Sequence, residues 1–145
     1  MGLSNAFDIS VSAIKTERLH MEVIASNIAN MNSTKTVNGG PYVRKTLMYS
    51  ETPLSFSETL DRAQERRNNN LGGVQASVIE DRSTNMQKVY NPGHPHADEG
   101  GYVTLPNVSL PTEMADMVYT SKLYEANIAV LNTTKKMGQD TLQIQ

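Results

Sequence analysis

The 145-residue chain has no cysteine and no tryptophan, and only two phenylalanines. Without cysteine there can be no disulfide, no thiolate metal site and no cysteine nucleophile, and an oxidising compartment would find no thiol to attack. With so few large aromatics a self-contained core would be thin, and burial between subunits would relieve the shortage. Lys and Arg number 13 against 15 Asp and Glu, a formal charge of −2, so the basic face that nucleic-acid phosphate requires is missing and no nucleic-acid partner is expected. No segment approaches the roughly 20 apolar residues that cross a bilayer, so no membrane-spanning segment is expected. The amino terminus lacks a basic n-region ahead of an apolar stretch, so no cleaved secretory signal is expected either.

Chemistry is equally sparse. No serine sits in a Gly-x-Ser-x-Gly elbow, and His20 lies inside a helical pattern beside charged positions. Gly72-Gly73 leads into a strand, not a helix, so it cannot cradle a phosphate. Arg62, Arg66 and Arg67 precede three asparagines, but Asp61 and Glu65 interleave and no aromatic platform accompanies them. That stretch reads as a solvated loop. His94, His96, Asp98 and Glu99 come nearest to a metal site, yet Pro95 keeps the histidines off one helix face and no second ligand cluster exists. They read as a solvated turn. No catalytic residue, cofactor or metal is assigned; a small metal-binding enzyme built on residues 94–99 is the alternative of a different class.

What the chain does have is two heptad-patterned stretches, about residues 5–31 and 110–142, at opposite ends. In the first, Phe7, Ile14, Met21 and Ile28 recur every seven residues, with Val11, Ile24, Ala25 and Met31 between them. That is one stripe on one helix. In the second, Leu110, Met114, Met117, Ser121, Tyr124, Ile128 and Leu131 step by four and three, continuing weakly through Lys135, Gly138 and Leu142. The stripes need partners: each other, or the same stripes on neighbouring copies. Val23, Leu19, Ala115, Val118, Leu123 and Val130 lie off the seams, which favours burial between subunits.

The fold expected is α+β, with long terminal amphipathic helices, paired and coiled-coil-like, around a small β-rich middle. The first helix starts after Ser4 or Asn5 and ends at Asn30-Met31-Asn32, asparagine being a common left-handed terminator. Tyr42 to Tyr49 reads as a strand with Val43, Lys45, Leu47 and Tyr49 on one face. Residues 57–67 could form a short helix, and the loop at about 50–72 is expected to be flexible. Residues 74–79 and 86–90 read as partner strands joined by a turn at 81–85. Asn91-Pro92-Gly93 suggests a type II turn with positive φ at the glycine. Residues 102–105 are extended, and the last helix starts between Ser109 and Thr112, with Pro111, Glu113 and Asp116 suited to its first turns and Lys135 and Lys136 to its other end.

Ala25-Ser26-Asn27-Ile28-Ala29-Asn30 resembles a run near the end of the first helix in the axial proteins of the bacterial flagellum, the rod and hook family. More specific is Tyr90-Asn91-Pro92-Gly93-His94-Pro95-His96-Ala97-Asp98, leading to Gly101-Tyr102-Val103-Thr104-Leu105-Pro106-Asn107-Val108, which looks like the signature of that family's proximal-rod members. Tyr124-Glu125-Ala126-Asn127 resembles their Tyr-Gln-Ala-Asn pattern, with Glu125 in place of the usual glutamine. Residues 50–72 carry no such likeness.

The resemblance implies a structural basal-body protein, not an enzyme. It would divide into an N-terminal axial helix (1–32), a β-rich middle (33–108) and a C-terminal axial helix (109–145). Such proteins leave the cell through the flagellar type III export apparatus without a cleaved signal, polymerise helically and help to pass torque from the membrane ring to the distal rod and hook. Expected partners are other copies, other rod proteins, proteins of the ring–rod junction and the export apparatus. The expected assembly interface comprises Phe7, Val11, Ile14, Met21, Ile24, Asn27, Ile28, Asn30, Met114, Met117, Tyr124, Asn127, Ile128 and Leu131. A secreted helical interaction protein unrelated to flagella is the remaining alternative.

Overall fold

A computed structural model describes residues 3–37, 39–53 and 72–143. The expected helix at 57–67 and the Arg-Asn loop lie outside the described residues. The elements are helix α1 (Leu3–Ala29), strands β1 (Lys45–Glu51), β2 (Val74–Glu80), β3 (Gln87–Tyr90) and β4 (Tyr102–Leu105), and helix α2 (Leu110–Gln143). Among the described residues two helices and two antiparallel two-stranded sheets, β1–β2 and β3–β4, make the fold α+β, as the sequence predicts.

Helix α1 carries hydroxyls in its interior that bond its own carbonyls, Ser10 to Ala6 at 2.9 Å and Thr16 to Ser12 at 2.9 Å. That self-satisfaction lets both be buried without loss. The helix ends as expected by position but not by conformation. No described non-glycine residue has positive φ, so no asparagine adopts the left-handed cap. Instead the Asn30 N–H is shared between the Ser26 and Asn27 carbonyls, its side-chain amide donates to Ser26 O, and Met31 and Ser33 continue with three-residue bonds. Tightened turns thus satisfy the last carbonyls. Helix α2 opens with Glu113 N–H donating to Ser109 O and Pro111 in the first turn, where its missing N–H costs nothing. It continues to Gln143, leaving Lys135 and Lys136 about two turns inside and not at its end.

The middle departs from expectation in pairing. β2 pairs with β1, bracketed by Asp81 N to Arg44 O and Thr52 N to Gly73 O, each 2.8 Å. Residues 81–85 do not close a hairpin, because Asp81 O and Thr84 O are drawn to the Asn107 amide. β3 instead pairs with β4 in the register Gln87↔Leu105 to Tyr90↔Tyr102. β1 begins at Lys45, later than expected, since the N–H groups of Tyr42 and Arg44 are taken by Ser33 O and the Asn107 side chain. In the β3–β4 connection His94 N–H closes the turn on Asn91 O, yet Gly93 lacks positive φ, so the turn is not type II. Gly101 supplies the left-handed residue instead, at φ +75°.

The chain divides into two compact units: Met1–Leu19 with Tyr49–Ser77 and Thr120–Gln145, and His20–Met48 with Val78–Tyr119. Among the described residues the buried hydrophobic side chains Val23, Ile24, Tyr42, Leu47 and Val103 all belong to the second unit. In the first unit the buried side chains among the described residues are Ser10, Thr16 and Thr120. There α1 grips the start of β2 through hydroxyls: Val74 N–H donates to Ser12 Oγ at 3.0 Å and Thr16 Oγ1 donates to Val74 O at 3.4 Å. The approach is so close that a Cβ on Gly73 would lie 2.6 Å from Ser12 Oγ and 2.9 Å from Ser12 Cβ.

Gly73→Ala must therefore push β2 off α1, and is expected to cost about 1–3 kcal/mol in urea denaturation, the usual range for overpacking. Gly40→Ala is the control, since nothing lies within 4 Å of a Cβ there and its φ is not positive. An equal loss at both positions would refute the close-approach account.

Candidate functional site: a buried polar hub

Asn27, one of the signature asparagines, is 1% exposed, and Glu113, in the first turn of α2, is 0% exposed. A carboxamide offers two donors and two acceptor sites, and Asn27 fills all four. Its Nδ2 donates to Lys45 O at 2.8 Å and to Glu113 Oε2 at 3.0 Å. Its Oδ1 accepts from Lys45 N–H and from Tyr42 Oη, each at 2.9 Å. One side chain thereby satisfies both backbone groups of the first β1 residue while touching α2. The Tyr42 ring also lies 5.8 Å from Lys45 Nζ, within reach of a cation–π contact.

Arg44 extends the hub. Its Nε donates to Glu113 Oε1 at 2.6 Å, and its terminal nitrogens reach Asp116 at 3.4 Å and Asp81 at 3.5 Å. Burial alone would lower the Arg44 pKa and is the largest single influence, but the Glu113 hydrogen bond and the three carboxylate charges together raise it. The guanidinium is a fixed cation facing three acids. Asn107, from the Pro106-Asn107-Val108 signature, closes the far side by accepting Arg44 N–H and donating to Asp81 O, both at 2.8 Å. Asp81 has its pKa lowered, first by the Ser83 hydroxyl and N–H and then by Arg44.

The expected interface residues fall into different environments. Ile24 and Asn27 are buried within the single chain, while Phe7 (39%) and Met114 (57%) are exposed. Val11, Ile14, Met21, Ile28, Asn30, Met117, Tyr124, Asn127, Ile128 and Leu131 are half-buried. In the turn read against a metal site, Asp98 Oδ1 accepts from Gly100 and Tyr102 N–H, His94 Nδ1 accepts from His96 N–H, and His96 Nδ1 bonds Thr34 Oγ1 at 2.8 Å. These groups shape the loop between β3 and β4. Among the described residues no three His, Asp or Glu side chains are placed to share one metal ion. Sequence reasoning missed Tyr42, Arg44, Asn107 and Glu113 as a unit. The signal available was Asn27 and Asn107, each a polar side chain in a signature segment with no assigned task, while Tyr42, Arg44 and Glu113 lie outside those segments.

Replacing Asn27 with Ala strands Lys45 N–H and Lys45 O and takes one bond each from Glu113 and Tyr42, which keep Arg44 and Ser26 respectively. At about 1–3 kcal/mol per unsatisfied group, a loss of about 3 kcal/mol is expected by urea denaturation. Arg44→Met should cost about 3–5 kcal/mol by leaving buried Glu113 uncompensated. The acid limb of stability has a defined sign. Asp81 titrates lower folded than unfolded, so its contribution is complete above the ordinary aspartate range near pH 4 and is lost as pH falls toward the folded value. Asp81→Asn should flatten stability against pH below about 4; an unchanged acid limb would refute the assignment.

The Flagella basal body rod protein family matches residues 7–35, and the family described as Flagellar basal body rod FlgEFG protein C-terminal matches residues 99–144. These matches contain Asn27 and Asn107 with Glu113 respectively. Among full-length relatives, the flagellar basal-body rod protein FlgC of Salmonella typhimurium is 39% identical over 145 residues, covering 99% of this chain and 98% of its own. The FlgC of Bacillus subtilis is 38% identical over 144 residues, 97% and 96% of the two chains. That of Borreliella burgdorferi is 34% identical over 149 residues, 99% and 98%. Similarity that runs from end to end at 34–39% identity settles the family: the chain belongs to the FlgC family of flagellar basal-body rod proteins.

Proposed function

We propose that the chain is a self-assembling subunit of the proximal rod, a structural part and not an enzyme, that helps to carry torque from the membrane ring to the distal rod and hook. The observation that carries this reading is the uneven burial. The unit of residues 1–19, 49–77 and 120–145 buries no large apolar side chain among those described, while Val130, Met137 and Leu142 stand 53%, 59% and 76% exposed along α2. Such a surface is stabilised only by cover, and in a rod the cover is neighbouring subunits.

In this reading Phe7, Val11, Ile14, Met21, Ile28, Met114, Met117, Tyr124, Ile128 and Leu131 meet other copies and other rod proteins. Asn30 and Asn127 contribute polar contacts, and Ile24 and Asn27 hold the scaffold behind them. A contact of roughly 1,000 Å² or more would sustain stable assembly. Before assembly the helix ends are loosely ordered, because an uncovered seam does not offset ordering entropy. The three regions 1–32, 33–108 and 109–145 then act as axial helix, projecting middle and axial helix. Export through the flagellar type III apparatus and contact with the ring–rod junction complete the proposal.

Deleting the gene should abolish swimming, and the wild-type copy should restore it. A Leu131→Asp copy should fail to restore swimming while the purified chain, in which Leu131 is half-buried, loses no more than about 1 kcal/mol of unfolding free energy in urea. In dilute protein, amide exchange should show protection in residues 20–48 and 78–119 and little in 5–19 and 120–140. Strong protection throughout both helices, or full swimming by the Leu131→Asp strain, would count against the reading.

A further inference from the structure

A seam that repeats cannot mark a height. In α1, Phe7, Ile14, Met21 and Ile28 recur every seven residues, so apolar contact alone does not state how far along its axis the helix should sit. Asn27 is different in kind. It is nearly fully buried, its two donors and two acceptors are all engaged, and its partners come from β1, the residues just before it and α2. The slides in one direction bring Asn30, Met31 or Thr34, of which only Asn30 is a carboxamide, and it lies past the helix end at Ala29. Sliding α1 the other way by three, four or seven residues would put Ile24, Val23 or His20 in the place of Asn27. Neither aliphatic side chain has a polar atom, and a neutral imidazole has one donor and one acceptor, so none returns the four bonds. Each of these latter slides would leave Lys45 N–H, Lys45 O and the Glu113 carboxylate short of a partner.

We propose that the carboxamide of Asn27, held by Tyr42, Lys45 and Glu113, fixes the axial register of residues 20–29 of α1 within their unit, and that the heptad seam does not. Asn27 is then a positioning residue. It sets the height at which the seam is offered to the next subunit, which rests on the assembly reading above. A buried polar residue that specifies register among near-equivalent apolar contacts is a well-attested use of such groups. Here it has a physical reason, since polar satisfaction is all-or-none while apolar contact degrades gradually.

The test lengthens the seam in phase. Residues 13–19 are duplicated after Leu19, adding about 10 Å of helix without rotating its face appreciably. Because the chain has no cysteine, Ala25→Cys and Lys88→Cys, both at exposed positions, give a specific spin-label pair within one unit. If Asn27 sets the register, the interlabel distance matches the unduplicated chain within about 2 Å and the Lys45 amide stays protected from exchange, while adding Asn27→Ala to the duplication broadens or shifts the distance by several ångström, up to the roughly 10 Å of the inserted rise. A distance that moves with Asn27 intact, a Lys45 amide that loses protection, or a single unmoved distance after Asn27→Ala would each overturn the proposal. The labels are read on dilute protein, so the register can hold or fail independently of whether the gene proves necessary for swimming.

Discussion

The structure turns on a carboxylate kept out of water. Glu113 is tolerated at full burial because Arg44 meets one oxygen and Asn27 the other, so neither lone pair set nor charge is left alone. Every nearby feature follows from supplying those two partners. Arg44 must stand just before β1, which fixes where the strand can begin, and Asn27 must sit in the last turns of α1. Asn107 anchors the backbone beside Arg44 and at the same time holds residues 81–84, which is why that segment crosses between sheets and does not close a hairpin.

The two units manage polar groups by different means. In one, a charged hub and five buried apolar side chains cooperate, the second kind of contact giving cohesion and the first giving geometry. In the other, helix and strand meet through hydroxyls and a bare glycine backbone, an arrangement close in distance but poor in apolar area. A rod subunit gains from that asymmetry. In the assembly proposed above, the well-bonded unit supplies fixed geometry and the thinly packed one leaves its seams for neighbours.

Helices α1 and α2 were legible because periodicity is a local property: Phe7 to Ile28 and Met114 to Leu131 declare their faces without reference to anything distant. The strands were legible as segments but not as pairs. Residues 81–85 have turn composition, and what overrides it is an asparagine more than 20 residues away. The hub was hidden for the same reason. Asn27 and Glu113 are 86 residues apart, and in isolation one reads as part of a motif and the other as a helix-dipole acid. Gly93 shows the limit from the opposite side, since a Pro-Gly dipeptide permits a type II turn without requiring it, and the positive φ fell to Gly101.

The uneven burial also governs where sequence drift will be visible. A substitution at Val23, Ile24 or Asn27 is felt by the lone polypeptide, whereas one at Val130, Met137 or Leu142 meets mostly solvent there and, in the assembly proposed above, a neighbour. A thermal-shift survey of purified protein would therefore score the distal half of α2 as permissive, and a survey of swimming cells would score the same positions as intolerant. The gap between the two maps, residue by residue, would trace the footprint of the adjoining subunits.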